Sequence, residues 1–273
     1  MLVFVLVLIA FATSHTLTIV LVTAPKQGVM SKALLRTMKD LFVAFKNMPS
    51  DVEISKFYFV KGCMDDCDFP DLEKVTQIMK VEFPNIPVIT YWPHLLIKEG
   101  AYPCEWGNEY YSTHYSRLGA PVWSDQIFRK YMTVNYLFRS ALHHSIKTHP
   151  TDYYLMAEDD QTYEKYTFAA IKELMERNNN TNKRCFSKIA IPRGNYGKLY
   201  TDDISNVNKY IWGAFGVLRS KSETELFLRG LKYSNYHDSE DGVAHVICRF
   251  VNRTNVELNV VSQHFGRNGK IPD

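Results

Sequence analysis

The sequence lacks a strong excess of charge of either sign. Its 273 residues include 32 basic and 29 acidic side chains, for a net charge of +3. This balance argues against nucleic acid as a partner, because surfaces that bind nucleic acid concentrate basic residues. Internal repeats and low-complexity linkers are also lacking. Hydrophobic residues make up 46% of the chain, so we expect one globular domain with a sizeable core.

Cysteine is scarce, and its spacing does not suit a zinc site. In an oxidising compartment some of the cysteines should pair, although an odd number leaves one thiol over. Cys63 and Cys67 are close enough in sequence for a disulfide between them to close a single loop. The remaining connectivity is not fixed by the sequence. The five are Cys63, Cys67, Cys104, Cys185 and Cys248.

One long apolar run stands at the N-terminus, where residues 1–16 are typical of a signal peptide or a short signal anchor. Cleavage is expected around Ala12 to Ser14. The alternative is a membrane anchor that continues through Thr23, since roughly 20 apolar residues span a bilayer. In either case residues 17–273 form the folded domain, in the lumen of the Golgi or ER or outside the cell. Contact with a membrane is expected only through this segment.

Strand-like and helix-like runs alternate along the rest of the chain. "LTIVLVTAP" from Leu17 and "DYYLMA" from Asp152 are typical of buried strands, and the apolar spacing between Ser124 and Pro150 predicts a helix. Ser31 is the expected N-cap of an earlier helix, and a capping box at 222–225 opens a later one. The alternation predicts an α/β domain with a mostly parallel central sheet and helices on both faces.

Three consecutive carboxylates, Glu158, Asp159 and Asp160, end the strand "YYLMA". Ligands of α/β sheets bind beyond the carboxyl ends of the strands, which is where this cluster should lie. Adjacent negative charges disfavour one another unless a cation or strong donors neutralise them. A divalent ion that prefers oxygen ligands would do so. The alternative is the first turn of a helix, where the helix dipole stabilises acidic residues.

The C-terminal third offers further polar side chains. Asp238, Glu240 and Asp241 stand near an apparent helix start, and His264 follows an apolar strand, with Arg267 and Lys270 close behind. The histidine could complete a metal shell, and the two cations could hold phosphates. A capped helix and a solvated basic tail are the alternatives that the residues leave open.

The ordered set of motifs resembles the GT-A glycosyltransferases, and more narrowly the N-acetylglucosaminyltransferase IV family, from about Leu17 to Lys270. The resemblance is carried by "VTAPK", Arg129 with Asn135 and Tyr136, "YYLMAEDD", "WGAFGVLRS", "HDSEDGVAHVIC" and "SQHFGRNGK". It implies a GT-A type nucleotide-sugar-binding fold. The family's partner cysteine after Cys248 is missing here, so the resemblance does not supply that disulfide.

The resemblance also implies roles for individual residues. Asp160 would contact a divalent metal, Mn²⁺ or alternatively Mg²⁺, with His264 near the same ion. Glu158 and Asp159 would orient the ribose and pyrophosphate of the donor. The other residues expected to bind the nucleotide sugar are Thr23, Pro25 and Lys26 at the uridine end, Arg129 on the nucleotide or phosphate side, and Arg267 and Lys270, which could hold the phosphates.

The activity implied is an inverting transfer of N-acetylglucosamine from UDP-GlcNAc to a mannose of an N-glycan on a glycan or glycoprotein acceptor. Asp241 is the expected base for the acceptor hydroxyl, with Glu240 as the alternate and Asp238 as a helix N-cap. Two alternatives stay open. One is another GT-A hexosaminyltransferase, such as a GPI-glycan GalNAc-transferase, and the other is a non-catalytic protein that binds glycans or nucleotides on the same fold.

Overall fold

The structure is a computed structural model that describes most of the chain. The described residues are 15–24, 31–62, 68–92, 125–178, 184–191, 197–201, 216–233, 247–248, 251 and 255–264. At Arg129 and His264 the description covers the backbone. Residues 1–14 lie outside it, so the signal peptide or anchor stays a prediction. Among the described residues, no helix has the length and apolar character needed to cross a bilayer.

Nine strands and five helices are present within these ranges. The strands are β1 His15–Thr23, β2 Val52–Lys61, β3 Val88–Tyr91, β4 Tyr153–Glu158, β5 Gln161–Tyr163, β6 Arg184–Ile191, β7 Gly197–Thr201, β8 Val217–Ser220 and β9 Asn255–His264. The helices are α1 Ala33–Lys46, α2 Pro70–Glu82, α3 Asp125–Thr148, α4 Thr167–Asn178 and α5 Lys221–Tyr233. The α/β class is confirmed.

The strands form a single mixed sheet in the order β3-β2-β1-β4-β8-β6-β9-β5, with β7 also paired to β9. Neighbours from β3 through β4 are parallel, as are β6 and β9. The prediction of a mostly parallel sheet is confirmed only in part, because β8 runs antiparallel to both β4 and β6, and β5 and β7 run antiparallel to β9.

Both faces of the sheet are buried under helices. On β1, Leu17, Ile19 and Leu21 join a core with α1, α2 and α4, whereas Val20 and Val22 join a second core with α3 and α5. Apolar residues on both faces are typical of parallel strands covered on two sides. Thr16–Thr23, which could have continued a membrane anchor, instead belongs to central strand β1.

Two predicted helix starts need correction. Helix α1 begins at Ala33, so its N-cap is Lys32 rather than Ser31, and no side chain caps it. Helix α5 is opened by a capping box two residues before the expected one. The Ser220 N–H donates to Glu223 Oε2 at 2.7 Å, and the Glu223 N–H donates to Ser220 Oγ at 3.3 Å. This reciprocal pair satisfies two backbone donors that the helix itself leaves unpaired.

Gly216 precedes β8 and has a φ of +63°, a conformation in which L side chains are strained. A Cβ atom there would lie 2.3 Å from the Cβ of Ala190 on β6. The close approach lets β8 enter the sheet between β4 and β6.

We expect Gly216→Ala to lower the free energy of unfolding by about 3 kcal/mol, since it combines backbone strain with overpacking. Urea unfolding measures the loss. Gly62→Ala is the matched control, because a Cβ there meets its nearest atom at 3.2 Å with an ordinary φ. An equal loss at Gly62 would contradict the explanation.

A disulfide joins Cys185 on β6 to Cys248, with their Cα atoms 5.5 Å apart and 63 residues between them in sequence. Both cysteines lie in the α3/α5 core. The sequence did not determine this pairing. The loop containing Cys63 and Cys67 lies outside the described residues, so that pairing stays a prediction.

Removing the disulfide with Cys185→Ser and Cys248→Ser should cost about 4 kcal/mol of unfolding free energy, because the unfolded chain regains the entropy of a long loop. Guanidinium unfolding with and without reductant provides the measurement. Reductant should destabilise the wild type by much more than it destabilises the double variant, which lacks the long-loop disulfide. A wild type insensitive to reductant would contradict the assignment.

Candidate functional site

The carboxyl ends of three parallel strands meet at one edge of the sheet. Thr23 at the end of β1 pairs with Lys61 of β2, and its neighbour Val22 pairs with Glu158 of β4. The Gly62 N–H then donates to the Thr23 carbonyl at 2.7 Å. The acidic cluster therefore stands at the edge where α/β sheets bind ligands, as the sequence predicts.

The acidic turn, Glu158 to Asp160, joins β4 to β5. Its three carboxylates differ in how deeply they are buried. Asp159 is 3% exposed, and its Oδ2 atom accepts hydrogen bonds from the Thr23 hydroxyl at 2.7 Å and from the Ala24 N–H at 3.4 Å. Glu158 and Asp160 are partly exposed. Because donors stabilise the Asp159 carboxylate inside the protein, the remaining two carboxylates can face the edge.

These contacts also affect the predicted roles of Thr23 and Asp159. The side chain of each binds the other, so the pair connects the end of β1 to the acidic turn. Their part in donor binding stays a prediction.

Two residues that the sequence analysis missed, Gln161 and Tyr163, form hydrogen bonds at the acidic turn. Gln161 Oε1 accepts hydrogen bonds from the Glu158 N–H at 3.1 Å and from the Tyr163 hydroxyl at 2.7 Å. Burial raises the pKa of Tyr163, and the charges of Asp160 and Glu158 raise that pKa further, so the phenol stays protonated and can donate. The signal in the sequence was two polar side chains on alternate positions of a short strand after the acids.

Pairing of β5 with β9 brings the backbone of His264 next to the strand that follows Asp160. His264 lies opposite Gln161, the residue after Asp160. Directly opposed antiparallel residues have Cα atoms roughly 5 Å apart. Only the backbone of His264 is described, and among the described side chains no group of three or more His, Cys, Asp or Glu could hold a metal. A carboxylate with one further side chain nevertheless fits Mg²⁺ or Mn²⁺, which often take one or two protein ligands.

Helix α3 carries the backbone of Arg129 past the same edge. Leu137 packs against Gly62 at the edge, while the His144 Nδ1 atom lies 3.2 Å from the hydroxyl of Tyr58, further down the sheet. The helix therefore runs antiparallel to the strands. Arg129 precedes Leu137 by eight residues, which is roughly 12 Å of helix. Its backbone thus lies beyond the strand ends, and its part in donor binding stays a prediction.

A cavity of about 290 Å³ lies between α2 and strands β2 and β3, lined in part by Lys61, Thr76 and Lys80. It contains no residue of the acidic turn. Six predicted site residues lie outside the described residues and keep their predicted roles: Pro25, Lys26, Glu240, Asp241, Arg267 and Lys270.

No protein-family model matches the sequence, and no curated protein matches it. Solved structures with a similar arrangement include Staphylococcus aureus TarS 1-349, at 10% identity and a TM-score of 0.47 over 91% of this chain. TarS 1-349 has also been crystallised in complex with UDP-GlcNAc. Mouse xyloside xylosyltransferase 1 is similar at 12% identity and a TM-score of 0.42, over 94% of this chain and 99% of that chain.

A third similar structure, the Thermotoga maritima inositol-1-phosphate CTP transferase, has 9% identity and a TM-score of 0.46, over 95% of this chain and 92% of that chain. The chain spans 60% of the length of TarS 1-349 and 36% of TarS. These likenesses concern the arrangement of strands and helices alone.

Removing the Thr23 hydroxyl with Thr23→Val should destabilise the protein by about 2–3 kcal/mol, because the buried Asp159 carboxylate loses its shortest donor. Urea unfolding at neutral pH measures the change. Thr90→Val, on the exposed face of β3, is the matched control and should change stability by less than about 0.5 kcal/mol. Equal effects of the two substitutions would show that the Thr23 contact stabilises nothing.

Proposed function

We propose that this chain is a metal-dependent, inverting glycosyltransferase of the GT-A type that moves N-acetylglucosamine from UDP-GlcNAc to a mannose of an N-glycan. The observation that supports it most is the pairing of β5 with β9. It pairs His264 with Gln161, the residue that follows Asp160, although the two strands are distant in sequence. The donor, acceptor and linkage follow from the resemblance to the N-acetylglucosaminyltransferase IV family.

Asp160 and His264 would hold the ion, Mn²⁺ or alternatively Mg²⁺. When bound, the ion supplies positive charge that stabilises the departing diphosphate. Glu158, on the edge beside them, accepts hydrogen bonds from the donor ribose. Asp159 holds Thr23 and Ala24 at the end of β1, immediately before Pro25 and Lys26 in the sequence.

The remaining groups act on the phosphates and on the acceptor. Arg129, Arg267 and Lys270 neutralise the diphosphate as the bond from the sugar anomeric carbon to the UDP oxygen breaks. The acceptor hydroxyl oxygen forms a bond to the same carbon from the opposite side. Asp241, or Glu240 as the alternate, takes the proton of that hydroxyl. UDP and the glycosylated acceptor are the products.

The secretory location is part of the proposal. The buried Cys185–Cys248 disulfide is of the kind that persists in oxidising compartments. It agrees with the predicted leader at residues 1–16 and with a Golgi, ER or secreted location.

A second candidate is another hexosaminyltransferase, such as a GPI-glycan GalNAc-transferase. The pairing of Cys248 with Cys185 departs from the N-glycan family that the sequence resembles, in which this cysteine is expected to pair with a later one, and so leaves room for this candidate. This candidate uses the same acidic turn and differs in donor sugar and acceptor.

The decisive measurement is UDP release and product mass with UDP-GlcNAc or UDP-GalNAc, Mn²⁺ and N-glycan or GPI-glycan acceptors. Asp160→Asn, or chelation of the ion, should reduce transfer about 100-fold or more, since stabilisation of the leaving group is lost. Asp152→Asn is the matched control, because Asp152 lies at the opposite end of the same strand, where it accepts hydrogen bonds from Thr16. It should leave transfer unchanged.

Transfer from UDP-GalNAc alone would favour the second candidate. Binding of UDP without transfer to any acceptor would favour the non-catalytic alternative. If the wild type and Asp160→Asn are indistinguishable and release no UDP, the proposed function is wrong.

A further inference from the structure

Thr37, in the middle of helix α1, is fully buried and bonds to a distant part of the chain. Its hydroxyl lies 2.9 Å from the carbonyl oxygen of Asp159 and 2.8 Å from that of Gln161. It also accepts a hydrogen bond from the Gln161 N–H at 3.1 Å. Helical threonines often bond back to their own helix, whereas these partners are 122 and 124 residues away.

The three contacts are with backbone groups of the residues immediately before and after Asp160. The Asp159 carbonyl belongs to the peptide group before Asp160, and the Gln161 N–H belongs to the peptide group after it. A single hydroxyl therefore holds both peptide planes that flank Asp160. Since those planes set the backbone dihedrals of Asp160, they also set the direction in which its carboxylate leaves the turn.

Other contacts leave this arrangement little freedom. Gln161 Oε1 holds the N–H of Glu158 on the preceding side of the turn. Helix α1 makes a further contact with β5, in which the Tyr163 N–H donates to Asp40 Oδ2 at 3.4 Å. Thr37 and Gln161 are both fully buried, so water cannot replace a lost partner.

We propose that Thr37 is a positioning residue that fixes the acidic turn so that Asp160 presents its carboxylate to the metal and the nucleotide diphosphate. This inference rests on the proposed function. Thr37 itself touches neither ligand. Its role resembles that of groups that orient metal ligands through hydrogen bonds, whose loss typically weakens metal affinity 10- to 100-fold.

The test is calorimetric titration of UDP in the presence and absence of Mn²⁺, at a temperature where every variant is folded. Thr37→Val keeps the shape of the side chain and removes its hydroxyl, so Mn²⁺-dependent UDP affinity should fall about 10-fold or more. Thr37→Ser keeps the hydroxyl and should restore affinity to within about 2-fold of the wild type. Thr37→Ala serves if the valine variant does not fold, with the same expectation.

Thr151→Val is the matched control for stability. Thr151 is also buried, and its hydroxyl bonds to Thr18 and to the Tyr153 carbonyl, each at 3.0 Å, at the opposite end of β4. It should lower the free energy of unfolding without changing the UDP affinity of the folded protein.

Three outcomes overturn the inference, and they are distinguishable. If Thr37→Val binds UDP and Mn²⁺ as the wild type does, Thr37 does not position the turn, and the proposed function stands. If Thr37→Val and Thr151→Val weaken binding equally, the role of Thr37 is general stability. A wild type that shows no Mn²⁺-dependent UDP binding refutes the proposed function and the inference with it.

Discussion

Electrostatic repulsion among three neighbouring carboxylates is the constraint on which the edge of this sheet depends. The protein reduces it by burying Asp159 against the Thr23 hydroxyl and the Ala24 N–H, while Glu158 and Asp160 stay partly exposed. Burying a carboxylate is costly unless donors replace the lost water. The end of β1 therefore has to lie beside the turn, and the two strands are parallel neighbours.

Sequence periodicity was sufficient to predict β1, β4 and α3 around this edge, but not the short strand β5. Apolar runs marked β1 and β4, and the helix expected from Ser124 to Pro150 is α3 at Asp125–Thr148. Such predictions succeed because burial on one or both faces dictates which positions are apolar. The rule that ligands bind at strand ends then located the acidic cluster.

Features that depend on contacts between distant segments could not be predicted in this way. Nothing in the residues of β8 indicates that it runs antiparallel between β4 and β6, because pairing direction is set by connections and packing. Thr37 fits an ordinary helical pattern, and its bonds to the acidic turn arise only when α1 packs against β5. The roles of Pro25, Lys26 and the C-terminal residues stay predictions from resemblance.

The disulfide limits where one predicted group can be. Asp241 precedes Cys248 by seven residues, and a fully extended chain of that length reaches at most roughly 25 Å. Because Cys248 is covalently bonded to Cys185 on β6, the distance of the proposed base, Asp241, from that strand is limited. Whatever path the residues between them take, the Asp241 carboxylate remains within about that distance of the second core. Breaking the sulfur–sulfur bond would remove this restraint without altering any residue that is proposed to bind the donor.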